Sequence, residues 1–270
     1  MGNICIIGPR ASGKTTYLAG LSYFAEAKGS GRNYTITPVN EDSKELTINA
    51  ENTILQGLSV EPTRLGDGIQ TVDDLPYYSF VIEAKRGLFK PKTSIQLNVR
   101  DYPGEVFEQI INANEEDSIH EEFIDECLMS DVDGGLLLFT EWESSSDRFY
   151  SQLMARFLEM LDERGRLDNY RLAVAMSKCE RGEIWPGRLD PEIDLFGVYL
   201  KKTLNILKRG LPPKNLRFFA MSTFGVLGKY NPRPNRVNAF GSDGRASILR
   251  DPPCWNPYNL LEPLYWLNGS

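Results

Sequence analysis

Residues 8–16 read Gly-Pro-Arg-Ala-Ser-Gly-Lys-Thr-Thr and follow directly on the apolar run Ile4-Cys5-Ile6-Ile7. The segment satisfies Gly-x-x-x-x-Gly-Lys-[Ser/Thr] in full, with a strand-like run before it and helix-forming residues from Thr15 to Lys28 after it. Each residue type has a task in binding a phosphorylated nucleoside. Gly8 and Gly13 let the backbone N–H groups of the loop Arg10-Ala11-Ser12 curl around a phosphate. Lys14 supplies a point charge, the Thr15 hydroxyl is a ligand for Mg²⁺, and Thr16 follows in the first turn of a helix whose N-terminus is partially positive.

A phosphate loop does not by itself distinguish kinases, ATPases and GTPases. In an open α/β sheet the remaining ligand contacts come from the carboxyl ends of later strands. One such end is Arg100-Asp101-Tyr102-Pro103-Gly104-Glu105. There Asp101 is placed to hold Mg²⁺ through water, and Gly104 to bring its N–H to a γ-phosphate. A second is Ser177-Lys178-Cys179-Glu180, after Leu172-Ala173-Val174-Ala175-Met176. A lysine stem over a purine and a carboxylate accepting from guanine N1–H and N2–H₂ discriminate against adenine, which has no such donor pair. A third is Ser222-Thr223, whose backbone is placed to support guanine O6.

The hydrolytic machinery is less complete. A threonine that meets Mg²⁺ and γ-phosphate should precede the first edge strand. Thr63 and Thr71 both qualify, Thr71 lying closer to the strand. Glu105, directly after Gly104, is either catalytic or a solvent-exposed glutamate. Arg10, within the loop, and Arg64 are two arginines that can stabilise charge on a transferring phosphoryl group, or simply be solvated. His120 is the only histidine and lies in an acidic run, which disfavours Ser-His-Asp or Cys-His catalysis.

The elements that must position these residues can be read from hydrophobic patterning. Continuous apolar runs at Ile4–Ile7, Gly135–Phe139, Leu172–Met176 and Phe218–Met221 mark strands covered on both faces. Helical patterns at Arg148–Arg164 and Asp194–Lys208 separate them, and a last helix is expected over Leu260–Leu267. Residues 78–84 and 94–99 alternate instead, as an antiparallel pair at one edge. The expected fold is therefore a P-loop α/β domain with a doubly wound, six-stranded, mostly parallel sheet, an antiparallel edge and helices on both faces. One domain over 1–270 is expected, with insertions at about 30–75 and 222–257.

Composition narrows the classes further. The formal charge of −7 argues against a nucleic-acid partner, which usually selects a basic excess. Four scattered cysteines without a Cys-x-x-Cys pair suggest reduced thiols and a cytoplasmic protein. No apolar stretch approaches the ~20 residues needed to span a bilayer. A strand beginning at about Asn3 leaves no room for a secretory leader.

With these elements in this order, the chain resembles a Ras-like GTPase of the translation-factor-related (TRAFAC) class. It departs from the [Asn/Thr]-Lys-x-Asp base-reading pattern at Ser177 and Glu180. Residues 101–108, 130–138 and 255–267 resemble, more narrowly, the bacterial double-GTPase family. The resemblance implies GTP/GDP and Mg²⁺ as ligands, slow hydrolysis, and protein partners at the switch regions in a prokaryotic multi-gene setting of the kind suspected of defence roles. It also favours Thr63, by Pro62-Thr63, over Thr71 and puts Glu105 where a water-orienting glutamine would stand. A nucleotide-locked assembly module and a small-molecule P-loop kinase are the alternatives.

Overall fold

The computed structural model describes residues 3–26, 34–56, 72–84, 93–111, 118–228, 232–238 and 247–269. Four strands, β1 (Asn3–Ile7), β5 (Val132–Phe139), β6 (Arg171–Met176) and β7 (Leu216–Ala220), form a parallel sheet in the order β1-β5-β6-β7. A three-stranded antiparallel sheet contains β2 (Tyr34–Pro38), β3 (Tyr77–Ala84) and β4 (Thr93–Arg100). The mixed α/β architecture is thus as expected, and so is the antiparallel β3–β4 pair.

The parallel strands alternate between two cores. Leu137 and Phe139 of β5 pack on one face with Val174 and Met176 of β6. Leu136 and Leu138 pack on the other with Ala173 and Ala175. Because both faces are apolar, the strands appear in sequence as unbroken hydrophobic runs. The first face is covered by α3 (Gly104–Gln109), α4 (Ser118–Leu128), α5 (Ser144–Glu163) and α7 (Lys201–Gly210), the last following the short α6 (Gly197–Tyr199). The second is covered by α1 (Lys14–Glu26), α2 (Glu41–Glu51) and α8 (Glu262–Leu267). Phe80 and Ile82 of β3 and Ile95 and Leu97 of β4 join this second core, which explains their strict period of two.

Among the described residues these strands divide into a four-stranded and a three-stranded sheet and not one six-stranded sheet. The ladder breaks between β1 and β4, where the side-chain bond from Asn98 Nδ2 to Asn3 Oδ1 (2.8 Å) bridges the seam. On the other edge of β1, its ladder with β5 has a register shift between Asn3 and Ile4. The seam opens into a cavity of about 260 Å³ lined by Cys5, Arg100, Tyr102 and Glu126 among others. β2, within the 30–75 insertion, adds a third antiparallel strand that hydrophobic patterning does not reveal. The 222–257 insertion holds two short hairpins, β8 (Val226–Leu227) with β9 (Arg233–Pro234) and β10 (Arg236–Asn238) with β11 (Ser247–Leu249).

The strand ends that matter for a ligand are in register. Leu137 pairs with Ile7 and with Val174, while Phe139 pairs with Met176 and Met176 with Ala220. The loops after β1, β6 and β7 therefore leave the same edge. Among the described residues no helix is long and apolar enough to cross a membrane. The four cysteines are free thiols.

Leu200, the N-cap residue before helix α7, offers no side-chain acceptor. Buried Asp147 of α5 takes over that role, accepting from Lys202 N (3.0 Å), Thr203 N (3.0 Å) and Thr203 Oγ1 (2.9 Å). An Asp147→Ala substitution leaves these donors unsatisfied and should cost about 1–3 kcal/mol in urea unfolding, with Asp147→Asn losing less. Equal midpoints for Asp147→Ala and the parent chain would refute this capping role.

Candidate functional site

The loop between β1 and α1 is shaped by three residues with positive φ, Gly8 (+159°), Ala11 (+58°) and Gly13 (+93°). An alanine in that conformation is uncommon and implies that the surrounding turn dictates it. Ser12 N closes the turn on Pro9 O at 3.2 Å. Lys14 is buried and folds back over the loop, donating from Nζ to Gly8 O (2.8 Å) and Pro9 O (3.4 Å). Burial pulls its pKa down, and the carboxylates of Asp101, Glu108 and Glu105 oppose that shift.

The Asp101 segment meets this loop as its motif suggests. Thr15 Oγ1 donates to Asp101 Oδ2 at 2.6 Å, so two oxygens suited to a hard divalent cation converge at the mouth of the loop. Among the described residues no three His, Cys, Asp or Glu side chains cluster around a metal position. A magnesium ion held here would take its other oxygens from phosphate and water, a common arrangement for Mg²⁺. Just beyond, Tyr102 OH bonds Glu126, which also receives Arg100 Nε at 3.0 Å. This cluster fixes the strand end from below.

Gly104 lies directly on the phosphate loop. A Cβ there would fall 2.2 Å from Arg10 N and 2.4 Å from Arg10 Cα, so only glycine fits. Helix α3 thereby delivers two carboxylates to the loop. Glu105 Oε1 pairs with Arg10 Nη1 at 3.0 Å, and Glu108 Oε1 accepts from Arg10 N at 2.5 Å. The Glu108 contact is informative, because a carboxylate occupies a loop amide in the manner a phosphate oxygen would. An incoming phosphate must displace it. Glu108 has no signature in the sequence; only the pitch of α3 brings it round to Arg10.

The base-reading segment faces the same edge. Ser177 Oγ lies 2.8 Å from Ser12 O and 2.9 Å from Phe139 O, tying the loop after β6 to the phosphate loop. Lys178, at φ +55°, reaches back to donate to Ala11 O at 2.7 Å, with its Cε 3.6 Å from where a Gly13 Cβ would lie. Glu180 is 1% exposed. Its Oε2 has no hydrogen-bond partner among the described residues. Its Oε1 lies 3.4 Å from Arg236 Nη1. Such an orphaned buried acceptor is costly, and a ligand carrying N–H donors satisfies it.

The third segment is nearby but internally engaged. Ser222 Oγ accepts from Gly225 N at 2.7 Å, and Cys179 N donates to Met221 O at 3.0 Å, joining the loops after β6 and β7. Thr223 packs its methyl against Gly20 of α1, and its carbonyl accepts from Trp255 Nε1 at 2.8 Å. Ser222 is engaged through its backbone as well, its N donating to Tyr258 O at 3.0 Å and its O accepting from Tyr258 N at 2.9 Å. Thr16 is half-buried in the first turn of α1. Thr63, its alternative Thr71, and Arg64 lie outside the described residues.

No protein-family model matches the chain, and no curated protein matches it by sequence. Solved structures that match include Sup35 complexed with GDP, at 12% identity and a TM-score of 0.36 over 82% of this chain and 37% of that one. Sup35 complexed with GMPPNP matches at 13% identity and a TM-score of 0.38 over 83% and 37%. The signal recognition particle receptor SRβ–GTP/SRX complex from Chaetomium thermophilum matches at 10% identity and a TM-score of 0.33 over 84% and 94%. The chain thus spans 37% of the Sup35 chains it matches. At these identities and scores the likeness carries no chemical information.

Lys178 supplies a direct check of the geometry. Burial, then the cations Arg181 and Arg236, lower its pKa from 10.5 to about 8. The folded chain therefore binds fewer protons than the unfolded chain between about pH 8 and 10.5, and this group's contribution to stability rises with pH across that window. At pH 8 an amine-acylating reagent should modify Lys178 ahead of the exposed lysines, and mass spectrometry of the peptides reads the order. Labelling of Lys178 no faster than exposed Lys214 would contradict the placement.

Proposed function

We propose that this chain is a guanine-nucleotide-binding protein that hydrolyses GTP slowly and acts as a switch read by partner proteins. The observation that carries the reading is buried Glu180, whose Oε2 is unsatisfied among the described residues, on the same sheet edge as the phosphate loop. Its carboxylate suits the paired N1–H and N2–H₂ donors of guanine, which adenine lacks. Lys178 spans from the base-reading loop to Ala11, so the phosphate and base subsites share one wall.

The chain's own residues then divide the work. Lys14 moves from the loop carbonyls onto the phosphates, and the backbone N–H groups of residues 10–13 hold them. Thr15 and Asp101 would hold Mg²⁺, which neutralises phosphate charge when bound. Gly104 presents its N–H where a terminal phosphate reaches, and loss of that phosphate after hydrolysis releases helix α3. Arg10 and Glu105, paired with each other, are the groups from this region that approach the transferring phosphoryl group. Thr63 is assigned to the switch that covers it. On sequence resemblance we place the chain in the TRAFAC class near the bacterial double-GTPases, as one domain with two insertions.

A hydrolysis-deficient assembly module is the second reading. It is favoured by the Arg10–Glu105 pair, which engages the residue that would orient water. GTP incubated with the protein separates the two: slow release of phosphate supports the switch, and intact GTP supports the module.

Titration of fluorescent GDP, GTP, ADP and ATP in Mg²⁺ tests the core of the proposal. Guanine nucleotides should bind tens-fold tighter than adenine ones. Glu180→Ala should remove most of that preference, since a hydrogen bond to a charged group contributes about 1.5–3 kcal/mol. Equal affinities for both purines in the parent chain would overturn the base assignment. Lys14→Ala should abolish tight binding of all four while leaving the thermal unfolding profile cooperative.

A further inference from the structure

The residue that steadies the base-reading carboxylate comes from the 222–257 insertion. Arg236 opens β10, and its side chain is 19% exposed where it pairs with Glu180. Its position is enforced by its neighbour. Buried Asn235 donates from its backbone N to Gly225 O (2.9 Å) and from Nδ2 to Asp251 O (3.0 Å), and its Oδ1 accepts from Asp251 N (2.8 Å). On the partner strand, Leu249 is buried against Ile54 and Phe224. The hairpin base is thus stapled on two sides, and Arg236 projects from a fixed point.

The other nearby arginines are committed elsewhere. Arg181 stacks on Trp142 at 4.9 Å and reaches Thr140 O, while Arg188 stacks on Trp185 at 4.2 Å and bonds Trp185 O. Among the described residues Arg236 is the cation paired with Glu180.

Resting on the guanine reading above, we infer that Arg236 is a specificity-determining positioning residue. It holds Oε1 of Glu180 so that the longer glutamate side chain presents Oε2 to the base in one conformation. A carboxylate has about four lone-pair positions, so Oε1 can accept from the guanidinium and from a base N–H together. A glutamate carries one more rotatable bond than an aspartate, and its conformational freedom must be removed before it can select a base. The guanidinium removes it.

Calorimetric binding of GDP, IDP and ADP in Mg²⁺ to the parent chain, Arg236→Gln and Arg236→Lys tests this. IDP lacks the 2-amino donor, so the GDP:IDP ratio reads the Glu180 contact alone. The parent should favour GDP over IDP by roughly tenfold or more. Arg236→Gln should lower that ratio to about two- to three-fold with ADP affinity unchanged, and Arg236→Lys should recover part of it. A parent-like GDP:IDP ratio in Arg236→Gln, or an equal loss of GDP, IDP and ADP, would overturn the inference while leaving the guanine site standing. A parent chain that binds all three equally would instead remove both, and thermal unfolding confirms that each variant is folded.

Discussion

The arrangement depends on one short contact, the Ser177 hydroxyl held between the carbonyls of Ser12 and Phe139. It joins the ends of three parallel strands at the edge where their loops emerge. Together with the bond from Lys178 Nζ to Ala11 O, it ties the loop after β1 to the loop carrying Lys178 and Glu180. With it, and with Lys178 bonded to Ala11, the distance between a phosphate subsite and a base subsite is set by the sheet itself. A serine does this with a single short hydroxyl, which is possible only because the register brings Phe139 and Met176 level.

Around that frame the site satisfies its own charges. Lys14 rests on loop carbonyls, Thr15 on Asp101, Arg10 on Glu105, and the Arg10 amide on Glu108. Each is a contact a phosphate or a cation would replace with a stronger one, so binding is an exchange of partners rather than the filling of an empty space. Such exchange couples the loop to α3, because Gly104, Glu105 and Glu108 all belong to that helix. A ligand that displaces Glu108 exchanges one contact between the loop and α3 for another.

Glu180 departs from this self-satisfaction, as the Ser12 hydroxyl does: each is buried with an oxygen unpaired among the described residues. The insertion that supplies Arg236 reads in sequence as a Gly-, Pro- and Arg-rich loop without periodicity. Its order comes from Asn235 and Leu249, two side chains that join distant turns, and no pattern of apolar residues announces such a staple.

The β1 run, the phosphate loop and helix α1 were legible because they form one contiguous stretch whose apolar, glycine and lysine positions obey local rules. The parallel strands were legible because burial on both faces leaves unbroken apolar runs, and the β3–β4 pair because burial on one face leaves alternation. The division of the sheet at the β1–β4 seam was not, nor was strand β2, since pairing across distant segments depends on side chains such as Asn3 and Asn98 that carry no periodic signal. The residue types able to handle phosphate, magnesium and a purine were determined by the sequence alone. Which of them meet was decided only by the fold: Glu108 on the Arg10 amide, Arg236 on Glu180, and Thr223 turned toward Gly20 instead of the site. Local chemistry depends on residue identity, whereas contacts between residues tens to hundreds of positions apart depend on strand register and helix pitch, which exist only once the chain has packed.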